Sequence, residues 1–279
     1  MWPDSKEGGS PLPLRSERHG NGGSTIVLLH GFGTNRHTWN RLIPPLSQRH
    51  SVQVLEMKGF GDAPKPRDGR YSPLDQAGLV GRWILENDLH DLTVVGHSLG
   101  GGVALLTTLA LHARAPRCIR RLVILSGIAY PQPISRYLRL LGRPLLGPFL
   151  LRLLPTKALI RTAIRRAYHP SHPVSEFHVE AYAGPLRAPE GRYALSRSAA
   201  QLMSLELASV TARYREITLP CLLLWGRNDS VVPVWVGERL AEALPRARLE
   251  ILPQCGHMPQ EEKAVETLAR LTAFLKETD

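Results

Sequence analysis

A serine between glycines lies where a predicted strand ends and a predicted helix begins. The segment comprises Gly96, His97, Ser98, Leu99 and Gly100, after the apolar run 92–96 and before a helical pattern over 98–114. Such a turn is too tight for side chains at positions 96 and 100, and it projects the serine hydroxyl from a strained backbone. The helix N-terminus behind Ser98 favours developing negative charge. The pattern predicts a nucleophilic serine.

A serine hydroxyl needs a base, and the base needs an orienting carboxylate. His257 follows the last predicted strand and Asp229 follows the fifth, so both loops should lie at the same sheet edge as Ser98. Their order along the chain is the one expected for a serine on a strand–helix turn. Two other histidines compete for the role of base. We expect His30 to bond the backbone of its own loop and His97, adjacent to the serine, to point elsewhere.

Attack on a carbonyl also requires two donors for the oxyanion that forms. The backbone N–H of Leu99, directly after the serine, is the first candidate. The second should come from the glycine-flanked loop after the predicted strand 25–30, and the N–H of Phe32 is our choice.

Predicted strands alternate with helical patterns along most of the chain. Apolar, β-rich runs occupy 25–30, 51–56, 92–96, 120–126, 219–225 and 247–252, and a weaker strand signal lies near 12–17. Helical patterns cover 36–48, 73–87, 98–114, 234–243 and 261–276. This alternation predicts an α/β fold with a mostly parallel central sheet flanked by helices.

One long interval interrupts the alternation. Residues 131–215 are rich in leucine, arginine and proline and contain no clear strand, which predicts an inserted helical cap, or lid, on a core made of 1–130 and 216–279. Apolar residues three or four positions apart predict an inner face that covers the substrate. These pocket candidates are Leu138, Leu141, Leu145 and Phe149, with Leu146 and Leu153 on the same run, and Met258 beside His257.

The chain is strongly basic, with a formal net charge of +11 at pH 7. Residues 131–219 hold 13 Lys and Arg against 5 Asp and Glu, so one region carries most of the excess. No zinc-finger spacing or RNA-binding aromatic motif accompanies it, so we expect no nucleic-acid partner. The cap could instead dock on an anionic membrane. We favour a cap whose arginines face solvent, with peripheral membrane contact as the alternative.

Several classes of site are not expected. The three cysteines, Cys118, Cys221 and Cys255, predict reduced structural thiols rather than disulfides or a zinc cluster. His169 and His172 are better explained as loop residues than as a metal pair, and no phosphate-binding or dinucleotide motif implies a cofactor. No apolar run reaches the length of a transmembrane segment, and the polar N-terminus lacks a signal-peptide core, so we expect a cytoplasmic protein.

Taken together, these motifs resemble those of the α/β-hydrolase superfamily. The segments that carry the resemblance are 30–33, 58–62, 96–101, 224–229 and 256–261. The resemblance implies an eight-stranded sheet with a helical cap inserted after the sixth strand. The N-terminus is too short for the usual two leading strands, so the first of the eight is expected to be missing or vestigial.

The resemblance also implies a cofactor-independent serine hydrolase. A carboxylesterase acting on small to medium acyl esters through an acyl-enzyme is the first expectation. Meta-cleavage-product hydrolases, which cut C–C bonds, share the serine, aspartate and histidine, but they typically have an aromatic residue where this chain has Met258, so they rank second. Haloalkane dehalogenases and epoxide hydrolases are disfavoured because they place an aspartate at the position of Ser98. A ligand-binding receptor on the same scaffold is a third possibility.

Overall fold

A seven-stranded sheet forms the centre of the protein. The computed structural model describes residues 12–112, 114–133, 135–202 and 210–278. The strands run in the order β1-β3-β2-β4-β5-β6-β7, and all neighbours are parallel except β1 and β3. They are β1 (Arg15–His19), β2 (Ser24–Leu29), β3 (His50–Glu56), β4 (Leu92–His97), β5 (Ile119–Leu125), β6 (Cys221–Gly226) and β7 (Ala247–Leu252). The described residues thus contain one strand fewer than the eight that the resemblance implies.

Helices cover both faces of this sheet. Successive residues of a strand point to opposite sides, and in β2 Ile26 and Leu28 enter one core cluster while Val27 and Leu29 enter the other. The helices of the sheet layers are α1 (Ile43–Ser47), α2 (Pro73–Glu86), α3 (Leu99–His112), α9 (Val234–Ala243), α10 (Pro259–Glu262) and α11 (Ala264–Glu277). The sequence therefore predicts this part of the fold closely, because buried runs and amphipathic helices are local patterns.

Between β5 and β6 the described residues include five further helices, which we call the insertion. They are α4 (Arg136–Leu141), α5 (Leu146–Leu153), α6 (Thr156–Ala167), α7 (Glu176–Ala183) and α8 (Pro189–Gln201). α8 packs on the loop after β2, where Leu195 Cδ1 lies 3.7 Å from the position a Cβ would take on Gly33. α4 lies on α8, since Ser196 Oγ donates to the Leu141 carbonyl at 2.7 Å.

The face of α5 that points inward is not the one predicted. Leu145, Phe149 and Leu153 are 89%, 55% and 62% exposed, so the prediction that they line an apolar inner face is wrong. The reason is Gly147, where a Cβ would lie 1.9 Å from the Leu141 carbonyl oxygen and 2.6 Å from Ser196 Oγ. Close packing through this glycine turns α5 so that Leu151 is buried and the stripe of larger side chains faces solvent.

Two other features of the chain concern cysteines and membranes. Cys118, Cys221 and Cys255 are all buried free thiols, as predicted, and burial raises the pKa of Cys221 to about 12. Within the described ranges, no helix is both long and apolar enough to cross a bilayer.

Candidate active site

Ser98 occupies a strained turn between β4 and α3. Its φ is +51°, a left-handed conformation that is unusual for a residue with a side chain. The turn is closed by backbone contacts: a Cβ on Gly96 would lie 2.3 Å from the Gly100 carbonyl oxygen, and one on Gly100 would lie 2.2 Å from that of Leu29. Glycine at both positions is therefore a steric requirement of the turn, as the sequence pattern predicts.

A chain of hydrogen bonds links the three predicted polar side chains. Ser98 Oγ lies 2.9 Å from His257 Nε2, and His257 Nδ1 lies 2.8 Å from Asp229 Oδ2. All three residues are buried. Asp229 Oδ1 accepts the N–H groups of Val231 and Val232, both at 2.8 Å, which fixes the carboxylate plane and leaves Oδ2 for the histidine.

This arrangement defines the proton positions that chemistry would need. A carboxylate accepts only, so His257 donates from Nδ1 and its Nε2 is free to accept the proton of the Ser98 hydroxyl. In this geometry His257 is positioned as a base beside Ser98, and Asp229 orients His257.

The two predicted oxyanion donors belong to segments that come close to Ser98. Leu99 is the first residue of α3, and Phe32 lies in the loop after β2. This loop passes close to the serine, since a Cβ on Gly31 would lie 3.2 Å from Ser98 Cβ. Among the described residues, no protein group accepts the N–H of Phe32 or of Leu99. Both N–H groups therefore have no partner among the described residues.

Of the two competing histidines, His30 behaves as predicted. Its Nε2 accepts the Met57 N–H at 3.1 Å, so Nδ1 carries the proton and donates to the Gly31 carbonyl at 2.8 Å. Burial lowers the pKa of this imidazole. Both ring nitrogens form hydrogen bonds with backbone groups, so neither is available for proton transfer.

The sequence suggested that His97 points away from the site, but the structure places its ring beside His257. Its ring centroid lies 4.9 Å from that of His257, and its Nε2 donates to the His257 carbonyl at 2.8 Å. Burial, followed by the neighbouring His257, lowers the pKa of His97 well below its usual value. A neutral His97 thus holds the backbone of His257. His97 lies at the end of β4, and its position next to Ser98 in the sequence does not reveal this contact with His257.

Sequence reasoning also missed Glu262. Its carboxylate accepts the N–H of Gly256 and that of Met258, both at 2.9 Å, so it bonds the backbone on each side of His257. It further accepts the N–H of His169 in the insertion at 2.7 Å. The only local signal is a pair of glutamates shortly after the histidine.

The neighbouring Glu261 joins the insertion to the sheet layers. Its buried carboxylate accepts hydroxyl hydrogen bonds from Thr38 at 2.5 Å, from Tyr182 at 2.7 Å and from Tyr168. His178 Nδ1 lies 3.0 Å from the same group. Burial and the nearby Glu261 raise the pKa of Tyr182 well above its usual value, so this phenol stays a donor.

The insertion also contacts His257 directly. The His257 N–H donates to the carbonyl of Ala167, the last residue of α6, at 2.7 Å. Gly256 permits this approach, because a Cβ there would lie 2.4 Å from the same carbonyl oxygen.

A small cleft lies between α8 and the loop after β2. Its lining includes Gly33, Phe60, Tyr182, Leu186 and Leu195. The five apolar residues predicted for the pocket are all described, and none lines this cleft: Leu141 and Met258 are buried in the core, Leu138 is half-buried, and Leu145 and Phe149 face solvent. The difference arises because the cleft is formed by α7 and α8, while the predicted residues lie on α4, on α5 and beside His257.

Comparison with known proteins places this architecture in a family. Residues 24–264 match the model of the alpha/beta hydrolase fold. The chain belongs to that family. This match spans β2 to the start of α11 and includes Ser98, Asp229 and His257.

Relatives within the α/β-hydrolase family carry more than one activity in their names. A 2-hydroxymuconate semialdehyde hydrolase of Pseudomonas sp. (strain CF600) is 30% identical over 284 residues, covering 95% of this chain and 92% of that protein. An α/β-hydrolase fold protein from Burkholderia ambifaria is 26% identical, with a TM-score of 0.80 over 92% of this chain and 93% of its own. A thermophilic esterase from Thermogutta terrifontis has the same fold at 21% identity, with a TM-score of 0.76 over 95% of this chain and 93% of its own.

Proposed function

We propose that this α/β hydrolase is a serine carboxylesterase that cleaves esters of small to medium acyl chain. The observation that carries the proposal is the buried hydrogen-bonded chain from Ser98 through His257 to Asp229, which begins at a serine in a strained turn. We also propose that residues 131–215 act as a cap on a core of 1–130 and 216–279.

In the proposed reaction, Ser98 Oγ attacks the ester carbonyl while His257 Nε2 takes the hydroxyl proton. Asp229 orients the imidazole and stabilises its charged form. The N–H groups of Phe32 and Leu99 bind the oxyanion of the tetrahedral intermediate. His257 then protonates the leaving alcohol, and the acyl-enzyme is hydrolysed by water activated in the same way.

The apolar residues beside the loop after β2 support a neutral acyl group. Phe60 packs edge-on against Phe32 with ring centroids 5.9 Å apart, and Leu195 lies against Gly33. Apolar walls favour methylene groups by about 0.8 kcal/mol each until the space is filled. We therefore expect kcat/KM to rise from acetate to about butyrate or hexanoate and then to fall.

C–C bond hydrolysis is the second candidate, and a specific observation favours it. The relative from Pseudomonas is named for 2-hydroxymuconate semialdehyde and matches nearly the whole chain. Purified protein should be assayed with this compound and with p-nitrophenyl esters of graded length. Higher kcat/KM for the esters supports the carboxylesterase, whereas higher kcat/KM for the semialdehyde would replace it with the C–C hydrolase.

Substitution of the proposed catalytic residues tests the mechanism. Ser98→Ala should lower kcat with p-nitrophenyl butyrate on the order of 10⁴-fold, and Asp229→Asn should also lower it strongly, because the amide favours the wrong histidine tautomer. Ser171→Ala and Asp88→Asn, at exposed positions, are the matched controls. A Ser98→Ala protein with substantial activity would refute the assignment.

A receptor without catalysis predicts a different result. A fluorophosphonate should label Ser98 at one group per chain, and ester turnover should continue well beyond one product per chain in unlabelled protein. Ester binding without turnover in the native protein would support the receptor instead.

A further inference from the structure

The outer surface of α5 carries a row of exposed large apolar side chains. Leu145, Phe149 and Leu153 recur every four residues, so they lie on one face of the helix, and we call them the α5 stripe. Leu140 and Leu154 border it at 38% and 43% exposure. Contiguous apolar surface of this kind is uncommon on a monomeric protein and marks a surface that contacts something else.

The segment that contains the stripe is strongly basic, and little of its positive charge is neutralised. Residues 131–175 contain eight Lys and Arg and no Asp or Glu. Two of the eight, Lys157 and Arg161, pair with glutamates of α7. Within the described part of the chain, no ion pair involves four exposed arginines that lie on α4, on α5 or between these helices: Arg136, Arg139, Arg143 and Arg152.

The stripe lies on the outermost layer above the site edge of the sheet. The loop that carries Phe32 is covered by α8, and α8 is covered by α4 and α5. Because Gly147 and Leu151 face inward, the stripe points away from the sheet. A flat surface such as a bilayer can therefore contact the stripe without displacing the described helices.

We propose that the α5 stripe and its arginines form a docking surface for anionic lipid bilayers. Leucine and phenylalanine side chains enter the boundary between headgroups and acyl chains, and guanidinium groups bind the lipid phosphates. A second copy of the chain fits the surface less well, since a two-fold contact through the stripe would bring the arginines of both copies together without acidic partners. The inference goes beyond ester hydrolysis and does not depend on it.

Vesicle flotation tests the proposal directly. The full-length protein should bind vesicles of phosphatidylcholine and phosphatidylglycerol, should bind phosphatidylcholine alone more weakly, and should dissociate as salt is raised. The double variant Leu145→Ser/Phe149→Ser should bind the anionic vesicles at least ~10-fold more weakly. Arg139→Gln/Arg143→Gln/Arg152→Gln should bind them on the order of 100-fold more weakly.

Val265→Ser is the matched control, because Val265 is 79% exposed but belongs to α11. It should bind vesicles like the native protein. Thermal unfolding and turnover of a soluble ester in all variants verify that the fold is intact. No binding of native protein to anionic vesicles would overturn the proposal, and so would unchanged binding by the Leu145→Ser/Phe149→Ser variant. Sedimentation that shows a native dimer dissociated by this double variant would assign the stripe to self-association instead.

Discussion

The backbone of His257 is held by one nearby residue and by two residues from distant parts of the chain. Ala167 accepts its N–H, His97 binds its carbonyl, and Glu262 binds the peptide groups on both sides. A general base must stay within hydrogen-bond reach of the proton it takes, and a displacement of about 1 Å can cost 10²-fold in rate. The loop is thus positioned through its peptide groups as well as through the ring contacts with Ser98 and Asp229.

Replacement of one carboxylate oxygen tests this positioning role. Glu262→Gln substitutes a donor for one of two acceptor oxygens, so at least one of the three backbone N–H groups that Glu262 binds loses its partner. We expect kcat for p-nitrophenyl butyrate to fall by roughly 10-fold while KM stays nearly constant, because the change disturbs the base and not substrate binding.

The matched control for this change is Glu266→Gln on α11, whose carboxylate is exposed. It should retain native kcat. An equal loss of activity in both variants, or a rise in KM without a change in kcat, would contradict a positioning role for Glu262.

At this scale the sequence predicts the proposed catalytic residues better than the residues that support them. Ser98, Asp229 and His257 follow from strand ends and glycine spacing, which are local signals. The contacts of Glu262 with His169 and of Glu261 with Tyr182 join positions 93 and 79 residues apart. Only the packing of the insertion on the sheet layers creates them, so no local pattern could reveal them.

At the scale of the elements, the two sides of the insertion are held to the rest of the fold by different contacts. Its α6–α7 side is tied to the sheet layers through the buried carboxylate of Glu261, which receives hydroxyl groups from both parts. Its α4–α5 side rests on α8. Helical periodicity showed that α5 has an apolar face, but it could not show which face packs inward. Gly147 packs closely against Leu141 and Ser196, which turns its side of α5 inward and leaves the larger residues exposed to solvent.

Neutralising the carboxylate should loosen the α6–α7 side. Glu261→Gln replaces one acceptor oxygen with a donor that faces other donors, and an unsatisfied buried polar group costs about 1–3 kcal/mol. We expect the free energy of unfolding in urea to fall by about that amount, and limited proteolysis to cleave the insertion faster.

Glu180→Gln on α7 provides the comparison. Glu180 pairs with Lys157 and Arg187 at the surface, and exposed pairs contribute only about 0–1 kcal/mol. Native-like stability of Glu261→Gln, or an equally large loss in Glu180→Gln, would argue against the buried carboxylate as the anchor.

At the scale of the whole molecule, stability should depend on two buried neutral histidines. The pKa values of His30 and His97 are lowered in the folded protein, chiefly by burial. As pH falls below about 6.5, the unfolded chain binds protons at these residues before the folded one does. The stability they provide is therefore complete above that pH and is lost as the solution becomes acidic.

Urea unfolding between neutral and mildly acidic pH measures this dependence. Each histidine should lower the free energy of unfolding by about 1.4 kcal/mol per pH unit below about 6.5. His97→Gln keeps a donor near the His257 carbonyl but does not titrate, so its slope should be smaller. His90→Gln, at an exposed site, should keep the native slope. A His97→Gln protein with the native slope would show that this residue is not responsible.

The bond between the Ala167 carbonyl and the His257 N–H has a kinetic consequence. α6 ends at Ala167, so a motion that swings this end outward removes the acceptor from the histidine loop. Such an opening would admit substrate and at the same moment release the base, and turnover would wait until the gate had closed again. If the insertion opens in this way, closing would set an upper limit on kcat, and substrate could enter during catalysis only from the α4–α5 side.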